Sequence, residues 1–333
     1  MPIRKNHVAL SLFLLTLLIL LSSPLEATAA DTFADWLTDF RRQAQAEGIS
    51  RPVIEQALGD LEAPLERVIE LDRRQPELTQ TLSEYLDQRV TPALIAEGRE
   101  QLQRYPTWLS RIERQYGVDR AYIVALWGIE TRYGTYTGGF PAIHALATLA
   151  HDRRRGDYFR RELLNALRII EQGHMTAAEM SGSWAGAMGQ CQFMPSSFLR
   201  YAVDADGGGR IDLWATIPDI FASIANYLQQ NGWQSNATWG QQVQRPADFV
   251  TEAFGLNHSK PLERWQALGV SAMNGRSLPD SDRQASLLLP EGQGGPAYLA
   301  YANFRVLLRW NRSNLFAIAV GKLADELGSN SDK

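Results

Sequence analysis

The sequence contains a single cysteine, Cys191, among 333 residues. The chain therefore cannot close an internal disulfide, and no cysteine near the amino terminus is present to be lipid-modified. An excess of positive charge is also missing, since 33 lysines and arginines stand against 37 aspartates and glutamates. The densest basic run, residues 153–155, is typical of a solvated helix face. The composition therefore argues against a nucleic-acid-binding protein.

Beyond the amino terminus, the sequence has no long apolar run. The first thirty residues combine Arg4 and Lys5 with an apolar stretch at residues 8–21 and small residues at 27–29. This order predicts a secretory signal over residues 1–29, cleaved close to Ala30. The stretch is short for a membrane span, and an uncleaved signal anchor is the alternative. We expect an exported, periplasmic protein, with peripheral attachment to a membrane left open.

The hydrophobic periodicity changes along the chain. Helical spacing over residues 32–114 predicts several short helices, and it strengthens over residues 119–230, where Asp119 is an expected N-cap. Further helices are predicted at residues 158–172, near Pro195 and at residues 217–230. By contrast, residues 241–243, 285–290 and 297–308 look like strands between turns.

These patterns predict an α+β protein that is predominantly α. Its expected parts are an N-terminal helical domain at residues 30–115, a helical core at 116–234, a small β-rich unit at 235–308 and a C-terminal segment at 309–333. We expect the last segment to pack back on the core.

One carboxylate falls on an apolar helix face. Glu130 follows Leu126 by four residues and Ile123 by seven, so the three side chains share one side of a helix. Partial burial raises the pKa of a carboxyl group because the ionised form loses solvation. A glutamic acid that stays protonated near neutral pH can donate a proton to a glycosidic oxygen. The alternative is an ion pair between Glu130 and Arg132 or another arginine.

A two-carboxylate glycosidase would need a partner for Glu130, and the sequence offers no convincing one. Glu162, Glu171 and Glu179 lie in polar stretches, while Asp204 and Asp206 belong to a loop. A single-carboxylate mechanism fits better, with an oxygen of the substrate itself as the nucleophile.

Two motifs give the chain a family resemblance. Residues 128–134 read Gly-Ile-Glu-Thr-Arg-Tyr-Gly, and residues 183–197 read Ser-Trp-Ala-Gly-Ala-Met-Gly-Gln-Cys-Gln-Phe-Met-Pro-Ser-Ser. With residues 204–214, 225–227 and 309–311, in the same order, they cover nearly the whole chain after the predicted signal. The pattern resembles the membrane-bound lytic transglycosylase B family, whose core is lysozyme-like.

The resemblance implies a lytic transglycosylase of peptidoglycan, with Glu130 as its catalytic residue. Glu130 would protonate the oxygen between N-acetylmuramic acid and N-acetylglucosamine. Its carboxylate would then take the proton of the muramyl C6 hydroxyl, which closes a 1,6-anhydro ring. The substrate's N-acetyl group would hold the early positive charge. The implied partners are peptidoglycan glycan strands, and cell-wall synthesis proteins stay open as further partners.

The same resemblance places other residues in the substrate cleft. Ser183 and Gln192 match groups that hydrogen-bond sugar near the scissile bond, and loop capping is the alternative for both. The other matching positions are Tyr85, Met188, Phe193, Tyr227, Trp310, Asn311 and Phe316, with core packing as the alternative for Met188, Phe193 and Tyr227. Trp310 and Phe316 stand where the family has tyrosine. Trp310 lacks the hydroxyl but keeps a stacking face.

Residues 204–212 resemble the family's EF-hand-like cation loop, in which alternating oxygen ligands surround calcium. The candidate ligands are Asp204, Asp206 and, further along, Asp219. The fifth and twelfth positions are Gly208 and Ala215, which offer no side-chain oxygen. We therefore expect an enzyme that requires no cofactor, with a weakened structural calcium site. The alternative is a turn in which the aspartates bind backbone amides.

Three other interpretations are open from the sequence. The first is a nucleophilic Cys191 with a histidine as base, for which the candidates are His144, His151 and His174. The second is a lysozyme-type hydrolase, which the missing second carboxylate argues against. The third is a non-catalytic peptidoglycan-binding scaffold, which would not need a buried acid such as Glu130.

Overall fold

The computed structural model describes residues 32–74, 80–152, 154–246, 249, 254–279 and 282–328. The predicted signal over residues 1–29 lies outside this part of the chain. Among the helices that are described, none combines the length and the hydropathy that a membrane span requires.

Helices make up most of the described chain. In chain order they are α1 (Phe33–Ala46), α2 (Arg51–Leu58), α3 (Glu66–Arg74), α4 (Leu82–Arg89), α5 (Pro92–Arg104), α6 (Pro106–Tyr116), α7 (Arg120–Thr131), α8 (Ala142–His151), α9 (Gly156–Glu171), α10 (Pro195–Tyr201), α11 (Ile217–Gln230), α12 (Leu262–Ala267), α13 (Ala302–Trp310) and α14 (Asn314–Gly328). The predicted N-cap is confirmed, since the Asp119 carboxylate accepts the backbone N–H of Ala121 at 2.7 Å. The predominantly helical fold class is also confirmed.

In the described part of the chain, the strands form two antiparallel sheets. A short pair joins β1 (Phe140–Pro141) to β2 (Ser181–Gly182). The larger sheet has the order β4-β6-β7-β3-β5 and consists of β3 (Gly240–Gln244), β4 (Ser259–Pro261), β5 (Ser271–Ala272), β6 (Gln284–Leu288) and β7 (Ala297–Ala300). In its register, Leu287 lies opposite Leu299. One side of this sheet packs with Leu262 and Trp265 into a small separate core.

The strand predicted at residues 297–308 is wrong beyond Ala300. Helix α13 begins at Ala302, and Phe304 and Leu307 are both completely buried. Their spacing of three residues places them on one side of a helix, which packs against α14.

Arg154 and Arg155 are exposed to solvent, as expected for this basic run, but they do not lie on a helix face. Arg154 and Arg155 precede α9 and both donate hydrogen bonds to the carboxylate of Asp72 on α3. Asp72 is only 3% exposed, so the two arginines compensate a buried charge. The basic run thus ties α3 to the turn between α8 and α9.

The main core surrounds α7. Ten of the twelve residues of this helix are buried, and α5, α6, α11 and α14 pack against it. The same continuous core extends from Phe33 in α1 to Leu327 in α14. Because α7 is enclosed by helices from both ends of the chain, its last turn has a fixed position. Glu130 lies in that turn.

Candidate active site

Glu130 is half-buried at the end of α7, and its carboxylate is held by a residue far along the chain. Trp310, the last residue of α13, donates its indole N–H to Glu130 Oε1 at 2.6 Å. Arg132, which the sequence suggested as an ion-pair partner, pairs with Glu97 of α5 at 2.5 Å and 3.0 Å. A neutral donor therefore orients Oε1.

Glu130 borders a cavity of about 240 Å³ between the end of α4, the start of α5 and the end of α7. The lining residues around it are Gln88, Arg89, Thr91, Leu94, Gly128, Ile129, Thr131, Arg132 and Tyr136. Among these described lining residues, Glu130 alone carries a carboxylate. Tyr136 is 67% exposed, so the cavity has an aromatic side chain at its solvent edge.

Aromatic packing fixes the indole of Trp310. Its ring centroid lies 4.7 Å from that of Tyr227 and 5.2 Å from that of Phe193. The Tyr227 hydroxyl also donates to the carbonyl of Arg309 at 2.6 Å, which holds the end of α13. Burial raises the pKa of Tyr227 to about 12, so the hydroxyl keeps its proton at neutral pH. The indole therefore has little freedom to turn away from Glu130.

The sequence 128–134 folds into a tight reversal directly after Glu130. Arg132, Tyr133 and Gly134 all have left-handed backbone angles, with φ of 47°, 55° and 85°. The Tyr133 ring turns back over Gly128, where an added Cβ would lie 2.7 Å from the ring. Its hydroxyl donates to the Leu94 carbonyl at 2.9 Å. The glycine at 128 is thus explained by the space that Tyr133 needs.

Sequence reasoning gave no role to Gln190, which joins α7 to the loop at residues 183–194. Its Oε1 accepts the indole N–H of Trp127 at 2.7 Å, and its Nε2 donates to the Trp214 carbonyl at 2.6 Å. Its own carbonyl accepts the hydroxyl of Thr131 at 3.1 Å. A signal was present, since a tryptophan within the mostly apolar run at residues 121–129 needs an acceptor for its indole N–H.

Ser183 and Gln192 both hold the loop that contains them. The Ser183 hydroxyl accepts the backbone N–H groups of Ala185 and Ala187 at 3.3 Å and 3.1 Å. Gln192 has a φ of 49° and donates from Nε2 to the carbonyl of Thr137 at 3.0 Å. Loop capping thus occurs at both positions, and a contact with sugar stays a prediction.

The remaining predicted cleft residues differ in exposure. Met188 is completely buried, and Phe316 is 4% exposed. Tyr85 is 7% exposed and lies under the guanidinium of Arg89, one of the cavity residues. Asn311 is half-buried, and its Oδ1 accepts the backbone N–H of Ser313 at 3.2 Å. The structure brings Phe193, Tyr227 and Trp310 together beside Glu130, and Phe193 and Tyr227 are buried in the same core as Met188 and Phe316. Core packing, the alternative for Met188, Phe193 and Tyr227, thus occurs at all three positions.

Cys191 lacks the surroundings of a nucleophile. It is completely buried, which raises the pKa of its thiol well above the ordinary value, and the charge of Glu130 adds to this effect. The candidate bases are engaged elsewhere: His144 bonds the Ala63 carbonyl, His174 accepts the N–H of Ile211, and His151 packs on Phe33 and Trp36. The geometry therefore favours a packed thiol.

The other glutamates considered from the sequence accept hydrogen bonds from backbone amides. Glu162 is 4% exposed and accepts the backbone N–H of Ser196 at 2.9 Å and its hydroxyl at 2.7 Å. Glu171 accepts the N–H of Ser50, and Glu179 that of Thr176. None of the three is among the described residues that line the Glu130 cavity.

The candidate cation loop draws three carboxylates together. Asp204, Asp206 and Asp219 place one oxygen each within 4.8 Å of the others. Asp219 is fully buried on α11, and this burial raises its pKa. Several of these oxygens also accept backbone N–H groups, which lower the pKa of Asp204. The donor set fits a hard, oxygen-preferring cation such as calcium, although Gly208 and Ala215 add no side-chain ligand.

The sequence of this chain is similar to those of one known protein family. A family model described as Transglycosylase SLT domain matches residues 32–325. Membrane-bound lytic murein transglycosylase B of Escherichia coli (strain K12) is 36% identical over 242 residues, which cover 72% of this chain. The chain spans 65% of the length of that curated relative.

Solved structures resemble the whole described fold. SltB3 from Pseudomonas aeruginosa, in complex with NAG-anhNAM-pentapeptide, has a TM-score of 0.86 and 42% identity, covering 89% of this chain and 80% of that one. Slt35 from Escherichia coli, in complex with calcium, has a TM-score of 0.75 and 30% identity, covering 88% of this chain and 92% of that one. The chain belongs to the transglycosylase SLT domain family of lytic transglycosylases.

Proposed function

We propose that this protein is a lytic transglycosylase that cleaves the β-1,4 bond between N-acetylmuramic acid and N-acetylglucosamine in peptidoglycan. The observation that carries the proposal is the half-buried Glu130, oriented by Trp310 at the edge of a cavity in which the described lining holds no other carboxylate. The similarity to SltB3, which was solved with NAG-anhNAM-pentapeptide, supports the same substrate class.

In this proposal Glu130 acts first as an acid and then as a base. The carboxylic acid gives its proton to the glycosidic oxygen, the bond from that oxygen to muramyl C1 breaks, and the departing sugar gains a C4 hydroxyl. The substrate's own N-acetyl oxygen shares the positive charge at C1. The Glu130 carboxylate then removes the proton of the C6 hydroxyl, whose oxygen bonds to C1. Glu130 regains its proton, and no water is consumed.

The aromatic side chains near Glu130 are proposed to bind the sugar rings. Trp310 is half-buried and would offer an apolar ring to a pyranose, while Phe193 and Tyr227, at 3% and 8% exposure, pack against it and would support this wall of the cleft. Ser183, Gln192, Asn311 and Tyr85 would add polar contacts along the cleft. Met188 and Phe316 would support its wall from the core.

We also propose a domain division, a cellular location and a cation site for this protein. The domain division at residues 30–115, 116–234, 235–308 and 309–333 is proposed from the sequence pattern. The second core under the larger sheet supports the β-rich unit, whereas the helices on either side of residue 115 share one core. Export to the periplasm is proposed from the signal pattern at residues 1–29. Asp204, Asp206 and Asp219 are proposed to hold calcium, which would brace the loop and take no part in the reaction.

The test is product analysis on peptidoglycan with the purified protein and its Glu130→Gln variant, using mass spectrometry. We expect wild-type products that carry a 1,6-anhydro end and weigh one water less than hydrolysis products. Their release by the variant should fall by about 10²- to 10⁴-fold or more. Products with reducing ends would instead establish a hydrolase. No release by folded wild-type protein would favour a binding scaffold.

A further inference from the structure

We propose that Trp310 is a positioning residue that confines the exchangeable proton of Glu130 to Oε2, so that a single oxygen serves both proton transfers. This inference rests on the proposed function. It concerns which oxygen of the catalytic carboxyl carries the proton, and it arises from an indole at this position of the chain.

The chemistry of the Trp310 indole limits which oxygen of Glu130 can carry the proton. An indole N–H donates a hydrogen bond and has no lone pair with which to accept one. The bond from Trp310 Nε1 to Glu130 Oε1 is 2.6 Å long, so Oε1 must remain an acceptor for the bond to persist. A carboxylic acid accepts well at its carbonyl oxygen and poorly at its hydroxyl oxygen. When Glu130 is protonated, the proton is therefore carried on Oε2.

The indole of Trp310 is held rigidly by its neighbours. Trp310 packs against the rings of Tyr227 and Phe193, which also contact each other, and the Tyr227 hydroxyl holds the carbonyl of the preceding residue. Phe193 is itself fixed by two backbone hydrogen bonds with Met188, at 2.8 Å and 3.1 Å. Rotating the indole away from Oε1 would break this packing. The donor thus stays in place in both protonation states of Glu130.

A tyrosine, which the family resemblance identifies at this position, would behave differently from the indole of Trp310. A tyrosine hydroxyl both donates and accepts, so it could reverse its hydrogen when Glu130 is protonated on the nearer oxygen. Either oxygen could then hold the proton. The indole removes that freedom, because a proton on Oε1 would cost the hydrogen bond from Trp310.

The N–H of Trp310 also shifts the equilibrium between protonated and ionised Glu130, because an N–H directed at a carboxylate favours the ionised form. Charged and titratable side chains on the surrounding elements include Tyr85 and Arg89 from α4, Glu97 from α5 paired with Arg132, Tyr136 from the turn after α7, Cys191 from the loop, Tyr227 from α11 and Arg309 from α13. A substitution at Trp310 leaves all of them in the chain. A change in pH dependence can therefore be assigned to the lost donor.

The first test uses the indole signal itself. The chain has nine tryptophans, and ¹⁵N labelling of tryptophan gives one indole N–H signal for each. The signal missing from Trp310→Phe identifies Trp310. We expect this signal to move as Glu130 titrates in the wild-type protein and to stay constant with pH in Glu130→Gln. A Trp310 signal that ignores pH in the wild-type protein would overturn the inference, and this readout requires no catalytic activity.

The second test follows the rate of 1,6-anhydro product formation against pH. Trp310→Phe keeps a stacking ring and loses the donor, so we expect its profile to shift to higher pH by about one unit. Trp310→Tyr restores a donor and should return the profile toward that of the wild type. A uniform loss of rate in both variants, with an unshifted profile, would show that Trp310 acts only in packing. Absence of anhydro products from the wild type would refute the proposed function, while the indole titration would still decide whether Trp310 and Glu130 are coupled.

Discussion

The side-chain oxygen of Gln190 accepts the indole N–H of Trp127 at 2.7 Å, and this bond joins α7 to the loop at residues 183–194. Trp127 lies three residues before Glu130 and is 2% exposed. The bond therefore satisfies a polar group that has no access to solvent. The position of Glu130 depends on a contact made one turn earlier in its own helix.

Replacing Gln190 by methionine should destabilise the fold by about 1–3 kcal/mol, because the buried N–H of Trp127 loses its acceptor. Urea denaturation of the variant measures this loss. In the double variant with Trp127→Phe, both partners of the bond are absent, so the combined loss should be smaller than the sum of the single losses. Additive losses would show that the bond is not what stabilises the site.

Alanine at Gly128 should destabilise the protein by about 1–3 kcal/mol, because its Cβ would lie 2.7 Å from the Tyr133 ring. The ring would have to move, and with it the turn after Glu130, so activity should fall as well. Thermal unfolding and the rate of product release measure the two effects. Gly139→Ala is the matched control, since an added Cβ there meets no atom within 4 Å. Equal behaviour of the two variants would contradict the steric explanation.

Asp72 should make the stability of the protein sensitive to acid. Burial alone would raise the pKa of this carboxyl, but the hydrogen bonds from Arg154 and Arg155 outweigh it and hold the pKa below its usual range. The ion pairs therefore stabilise the fold at neutral pH, and this contribution is lost as pH falls through the ordinary aspartate range near 4 and below. Asp72→Asn should cost about 1–3 kcal/mol at pH 7 and less at pH 3, measured by urea denaturation at both values.

The control for Asp72 is Asp39→Asn. Asp39 pairs with Arg42, but both side chains are largely exposed, at 60% and 75%. Solvent screens such a pair, so its removal should change stability little at either pH. A comparable loss in both variants would mean that burial of Asp72 is not the reason for its effect.

Calcium should raise the unfolding temperature if the carboxylates of Asp204, Asp206 and Asp219 bind it as proposed. With few side-chain ligands, we expect a dissociation constant on the order of 10⁻⁴ to 10⁻³ M. At ten times that concentration, binding stabilises the folded state by about 1.4 kcal/mol. Differential scanning fluorimetry with calcium or with a chelator measures the shift. Asp206→Asn should abolish it, and magnesium should not replace calcium; an equal response in the variant would exclude this site.

Much of the fold could be predicted because its signals are local. The N-cap at Asp119 depends on one side chain and its nearest amides, and the period of the apolar residues predicted α9 and α11 within two residues. The error after Ala300 arose because a strand and a helix share one short apolar stretch, where periodicity is ambiguous. The partner of Arg154 is Asp72, 82 residues earlier, and no local pattern carries such a pairing.

In the candidate site, too, features with local signals could be predicted, whereas contacts between distant residues could not. Glu130 was identifiable from its place on an apolar helix face and from the motif around it. Its contact with Trp310 spans 180 residues, and the role of Gln190 depends on the direction of one buried indole. Sequence reasoning proposed a cleft position for Trp310 but could not predict that its N–H points at Glu130.

The burial of α7 determines at what stage of unfolding its backbone amides become exposed to solvent. Ten of its twelve residues are enclosed, and four other helices must separate before its backbone amides meet solvent. Such amides exchange their hydrogens only when the whole molecule unfolds, whereas exposed helices exchange through smaller openings. Glu130 thus stands on one of the last segments to open. Heat inactivation of the proposed activity should accordingly coincide with global unfolding, with no inactive but otherwise folded form preceding it.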